Sequence, residues 1–128
     1  MAPEGLSPAV RAFIREHIQS VEQMEILALI CSAPEREWTS QGIDAVILTN
    51  ENSIARRLVR FAQAGLLAKA PLKERAYRYE PHPAELATVA METVRAYQQR
   101  PVLVIETIFK PDADSAQSFA DAFRLRPK

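Results

Sequence analysis

Residues 51–64 constrain this chain more than any other stretch. They repeat apolar and polar side chains at helical spacing, and Gly65 stands directly behind them. At about 100° per residue, Ile54, Leu58, Phe61 and Ala62 gather on one side, extended by Ala55. Ser53, Arg56, Arg57, Arg60 and Gln63 gather on the other. One face is therefore made for a core, and the opposite face presents three arginines among small polar groups. A glycine at this point suits a left-handed helix stop. Two strand candidates follow, at residues 66–70 and 76–80, the second alternating with period two. The polar turn 71–75 between them is too long for a tight two-residue hairpin.

Upstream, capping signals divide the chain into short helices. Ser7-Pro8 places a cap residue before a proline at the first helical position. Val10, Phe13, Ile14 and Ile18 then share one face, with His17 among them as a core or interface histidine. Ser20 followed by Gln23 has the form of a capping box. The helix it opens, through Met24, Leu27, Ala28, Ile30 and Cys31, is apolar almost all round and is expected to be the most buried. Pro34 ends it, and residues 35–38 form a short extended piece. Thr39 caps a third helix over 41–48, with Ile43, Val46 and Ile47 turned inward. Thr49-Asn50 separates it from the arginine helix.

Downstream, Pro83 opens a long helix to Arg100, striped by Leu86, Val89, Ala90, Val94 and Tyr97. Pro101 must kink or restart it. Residues 102–109 are apolar and β-favouring; helix is the preferred reading, and a strand stays open. Residues 111–128 form a linker and a short amphipathic tail carrying Phe119 and Phe123.

Sixteen Lys and Arg balance sixteen Asp and Glu over 128 residues, so the net charge is zero. The sum hides a gradient. Residues 1–49 carry three basic and seven acidic side chains, a net of −4, whereas residues 50–80 carry seven and three, a net of +4. The basic segment contains the arginine helix and the hairpin, as a phosphate-facing surface requires. The single cysteine, Cys31, allows no intrachain disulfide and fits a reducing cytoplasm. Its place near the end of a buried helix reads as packing rather than redox sensing. The opening MAPEGLSPAV lacks the basic and apolar regions of a signal peptide, and no apolar run is long enough to span a bilayer. Only three glycines occur, and no phosphate-loop motif is present. Two histidines and one cysteine lie too far apart for a metal site. No nucleophile elbow occurs, so neither an enzyme, a metal nor a cofactor is expected.

Over about residues 20–80 the elements run helix, helix, short extended piece, helix, turn, helix, hairpin, followed by a helix. This order resembles the winged helix-turn-helix. The resemblance is most specific at Thr39-Ser40-Gln41-Gly42-Ile43-Asp44-Ala45-Val46-Ile47-Leu48, then Thr49-Asn50 and the arginine helix, and again at Gly65-Leu66-Leu67. Among such proteins the chain looks most like MarR-type regulators, whose wing carries an acidic residue followed by arginine; Glu74-Arg75 stands there. The wing is shorter than is usual in that family, and Pro101 breaks the C-terminal segment.

The resemblance implies a mainly α fold with a small β-hairpin wing, a domain over 1–82 and C-terminal helices over 83–110. It also implies a cytoplasmic transcriptional regulator whose partner is double-stranded DNA. Asn50, Asn52 and Ser53 would meet base edges, with Arg56 and Arg57 one turn on. Arg60 would hold phosphate, and Lys73, Arg75 and Arg78 would reach the flanking backbone or the minor groove. Glu51 opposes this charge, although it suits a helix N-terminus. In such regulators the C-terminal helices make a homodimer, here through Leu86, Val89, Val94, Tyr97, Leu103, Ile105 and Phe109. Packing of that segment onto the first helix is the alternative. A second function class stays open: a winged-helix adaptor without DNA binding, acting through its C-terminal helices and through Phe119 and Phe123.

Overall fold

A computed structural model describes residues 5–71 and 73–110. The linker and tail expected at 111–128, with Phe119 and Phe123, lie outside the described residues. The element order is α1 (Pro8–His17), α2 (Val21–Ser32), β1 (Glu37–Trp38), α3 (Ser40–Ile47), α4 (Glu51–Gln63), β2 (Leu67–Lys69), β3 (Tyr77–Tyr79), α5 (Ala84–Gln99) and α6 (Pro101–Phe109).

The caps act where the sequence places them. Ser7 Oγ accepts from the Val10 amide at 3.1 Å, with Pro8 at the first helical position of α1. Ser20 Oγ accepts from the Gln23 amide at 3.1 Å and opens α2. A full capping box would return the Gln23 side chain to the amide of the cap residue. Here Gln23 reaches further back. Its Oε1 accepts from the Gln19 amide at 2.6 Å, and its Nε2 donates to the His17 carbonyl at 3.2 Å. The amide group is buried and satisfied, and it ties the end of α1 to the start of α2.

Thr39 Oγ1 caps α3 through the Gly42 amide at 3.0 Å. Ile43 is buried, but Val46 is 53% exposed rather than inward. The pair Ile43 and Ile47, four residues apart, defines the packed side of this short helix, which leaves Val46 turned towards solvent. Leu48 ends α3 in the left-handed region, at φ 57°.

Asn50 caps α4, its Oδ1 accepting from the Ser53 amide at 2.9 Å. The far end closes on Gly65 at φ 92°. The Gly65 amide donates to Ala62 O and the Leu66 amide to Phe61 O, which together form a Schellman stop. Leu66, the residue after the turn, is fully buried.

The sheet has the order β1-β3-β2, all antiparallel. Leu67 pairs with Tyr79 and Lys69 with Tyr77, while Trp38 pairs with Tyr77 across the other edge. Both hairpin strands are shorter than their alternation suggests, although the Ala70 amide still reaches Ala76 O at 2.9 Å. Residues 101–109 are helical, which decides between the two readings left open. Pro101 restarts the chain at the first position of α6, after Arg100 has ended α5 in a non-helical conformation, at φ −139° and ψ 65°.

One core runs through the described chain. Ile14, Met24, Leu27, Ile54, Leu58 and Phe61 share it with Ala90, Val94, Val104 and Ile108. Helix α5 packs on α1 and α2, and α6 packs on α5 and α1. No helix among the described residues is long and apolar enough to cross a membrane.

Candidate nucleic-acid interface

Helix α4 buries Ile54, Leu58 and Phe61. At 100° per residue the direction opposite these three is occupied by Asn52, Arg56, Val59, Arg60 and Gln63, all of them exposed. Ser53 and Arg57 lie to one flank and are only half-exposed. Asn50, Asn52, Arg56 and Arg60 therefore point outward as the sequence suggests, and Val59 takes a place on that face too.

Two surroundings divide these residues. The first is a cavity of about 750 Å³ between α4 and the hairpin, where Asn52 meets Lys69, Lys73 and Arg75, with Glu51 and Glu74 at its wall. Arg75 holds the left-handed region at φ 60° on the turn. The second lies at the other end of α4, where Arg60 faces Glu16 and His17 of α1. The structure thus brings Asn52, Lys73 and Arg75 together and sets Arg60 apart from them. Arg78 is in the middle strand, on the face opposite Tyr77 and Tyr79, and its Nη2 donates to Glu80 Oε1 at 3.3 Å. Lys69 is a groove cation beyond those singled out from the sequence. Its only prior signal is membership of the basic segment.

The α2 flank holds a group that the sequence does not reveal. Glu22 accepts three hydrogen bonds from the α3–α4 turn and α4: from Thr49 Oγ1 at 2.6 Å, from Ser53 Oγ at 2.5 Å and from Arg57 Nε at 3.1 Å. Its side chain is 15% exposed. These partners stand 27, 31 and 35 residues away, beyond any local pattern. Burial raises the pKa of this carboxyl, but the three hydrogen bonds and the Arg57 charge outweigh burial and hold it below the ordinary carboxylate value.

A depressed carboxyl pKa stabilises the folded chain above the unfolded-state value and loses that contribution as pH falls through the folded one. The melting-temperature gap between the wild type and Glu22→Gln should therefore be widest above about pH 4.5. It should shrink steadily in more acid buffers. A gap independent of pH would show that the carboxylate charge contributes nothing to stability.

The other conspicuous residues take structural places. Trp38 is buried on the edge strand β1, with the Arg36 guanidinium 4.0 Å from its ring centroid. His17 packs against Phe13, with burial lowering its pKa and Glu16 partly opposing that. Cys31 is buried, and burial pushes its thiol pKa up against a smaller opposing effect of the nearby Tyr79 hydroxyl. Such a thiol stays protonated and weakly reactive.

The expected dimer residues divide in the same way. Val94 is 3% exposed within its own chain's core. Leu86, Val89, Tyr97 and Leu103 pack against that core as half-buried neighbours. The Tyr97 hydroxyl donates to the Glu25 carboxylate of α2. Burial first, and that carboxylate second, push the Tyr97 phenol up to about 12. Most of the α5 stripe is thus occupied by α1 and α2 of the same chain. On α6, Val102 is 67% and Phe109 70% exposed, with half-exposed Ile105 between them at helical spacing.

No protein-family description matches the chain, and no curated protein sequence matches it. Among solved structures it is similar to the reduced form of MarR from E. coli, at 15% identity and a TM-score of 0.50. That likeness covers 91% of this chain and 83% of the other. At this identity the likeness is one of fold, and it agrees with the element order, the three-stranded sheet and the helices that follow the hairpin. The chain has a MarR-like winged helix-turn-helix fold, in which α3 and α4 are joined by a short turn and β2–β3 form the hairpin that follows.

Proposed function

We propose that this chain is a DNA-binding transcriptional regulator that inserts α4 into the major groove and lays the β2–β3 wing along the flanking backbone. The observation that carries this reading is the joint surface of α4 and the wing. Asn52, Arg56 and Arg60 stand outward on the helix, and Lys69, Lys73 and Arg75 stand on the hairpin beside it. Arginine pairs with the guanine edge and asparagine with the adenine edge, each through two hydrogen bonds. The hairpin cations suit phosphates, which position the protein without reading sequence. The Asn50 carbonyl oxygen caps α4, so its amide nitrogen is the group it offers to DNA. Ser53, Arg57 and Arg78 have partners within the chain and take a lesser share of the contact.

Binding measured by fluorescence anisotropy on random-sequence duplex DNA tests this. Each neutralised phosphate contributes about −0.9 to the slope of log affinity against log salt. Five cations on this surface correspond to a slope of about −4 to −5 per bound chain. A flat salt response, or no binding at low salt, would remove the reading.

The regulator acts as a homodimer. An apolar stripe on a helix is favoured when covered, and α6 buries Val104 and Ile108 in its own chain while Val102, Ile105 and Phe109 stay outward, bordered by exposed Glu106. A second copy laid on that stripe covers it and presents two recognition helices to a two-fold symmetric site. In sedimentation velocity, Phe109→Glu should convert a dimer to a monomer without changing the helical circular dichroism. A dimer that survives this change would place the interface elsewhere.

A further inference from the structure

We infer that Glu22 is a positioning residue that holds the recognition helix from behind and withdraws Arg57 from the DNA-reading set. This inference rests on the DNA-binding reading and deepens it. Glu22 belongs to α2, which is not part of the exposed face of α4. Its carboxylate nevertheless gathers the turn before α4 through Thr49, the first turn through Ser53 and the second through Arg57. Ser53 and Arg57 are four residues apart, so both lie on the helix flank that faces α2. The Asp44 carboxylate adds a further tie, accepting from the Thr49 amide at 2.9 Å. The start of α4 is therefore tied to α2 through one acidic side chain, Glu22, while Asp44 fastens the turn before it to α3. The Arg57 guanidinium, which composition alone groups with Arg56 and Arg60, is spent on that contact.

The consequence for recognition is specific. A neutral residue at position 22 frees a mobile cation beside the groove and loosens the helix at the same time. Non-specific attraction grows while discrimination falls. A direct base-reading Arg57 would behave differently: its removal would cost discrimination, but freeing it from Glu22 would not.

The test uses the full chain, a duplex enriched by the wild type from a randomised pool, and a shuffled duplex of the same composition. In Glu22→Gln, affinity for the shuffled duplex should rise about threefold, and its salt slope should steepen by about 0.9. The ratio of enriched to shuffled affinity should fall at least about tenfold, beyond the independent-site error of roughly 0.5 kcal/mol. Arg57→Ala should lower the ratio by a similar factor. The double variant should lose no more than either alone, because both changes break one contact. Losses that multiply, or a Glu22→Gln ratio within about twofold of wild type, overturn the inference.

Hydrogen exchange provides a readout without DNA. The Ser53 and Ile54 amides should exchange at least about tenfold faster in Glu22→Gln, while the central α5 amides keep their rates. Unchanged exchange at the start of α4 overturns the inference even where DNA binding is intact. Failure of the wild type to enrich any sequence, with no salt-dependent binding, overturns the DNA reading instead; the exchange result still decides whether Glu22 holds α4.

Discussion

Replacing Arg56 and Arg60 together with alanine should lower duplex affinity by about a hundredfold or more at physiological salt. A well-placed arginine contact is worth about 1–3 kcal/mol, and two per chain are removed. The salt slope should fall by about two per bound chain, because each phosphate contact contributes about 0.9. Stability should scarcely move. Both side chains are exposed and neither forms an ion pair among the described residues, and surface changes of this kind stay within about 0.5 kcal/mol. The measurement is anisotropy on the enriched duplex beside a thermal melt. Full affinity in the double variant would take α4 out of the interface and put the DNA contact on another surface of the chain.

The second large effect is on folding. Gly65→Ala should destabilise the chain by about 2 kcal/mol or more, or roughly 8 °C or more in melting temperature for a domain of this size. Two causes combine. An L-residue with a side chain is disfavoured at φ 92°, and a Cβ there would sit 2.7 Å from the His82 carbonyl oxygen. That oxygen belongs to the backbone and cannot swing away as a flexible side chain would. The same glycine ends α4 and leads into β2, so on the proposed reading DNA affinity should fall along with stability. A variant melting within about 2 °C of wild type would mean that the turn relaxes freely.

Much of this architecture is legible in local pattern. Ser7, Ser20, Thr39 and Gly65 each mark a helix end by chemistry acting over three or four residues, and each occupies that place; Asn50, read from the sequence as a turn and base-contacting residue, proves to be the cap of α4. Short-range signals fail where the deciding contact is distant. Val46 is apolar, yet it is turned outward because α2 and α4 cover only the Ile43 side of a short helix. The stripe on α5 is visible as apolar, but nothing local says whether α1 or a second copy covers Val94; in the fold it is α1 and α2 of the same chain. Between residues 102 and 109 the β-favouring composition yields to Pro101 as a helix start and to burial of Val104 and Ile108 four residues apart. Along α4 the charge is plain in the sequence and the surroundings of each arginine are not. Arg56 and Arg57 are neighbours in sequence, and the distant Glu22 is hydrogen-bonded to Arg57.

The hairpin is joined to α4 by more than peptide bonds. Beyond the β2–β3 ladder, the Glu80 amide donates to Leu66 O at 3.0 Å and the His82 amide to Gly65 O at 2.9 Å. The returning strand is thus fastened to the very turn that ends α4, and its far edge is held by β1. Helix and hairpin form a fixed calliper. The distance between α4 and the hairpin is built into the backbone, so on the proposed reading any mismatch with a given site falls on the duplex. Sequences that bend or narrow easily at that spacing would then be favoured, and the protein would select on DNA deformability at positions where none of its side chains touches a base.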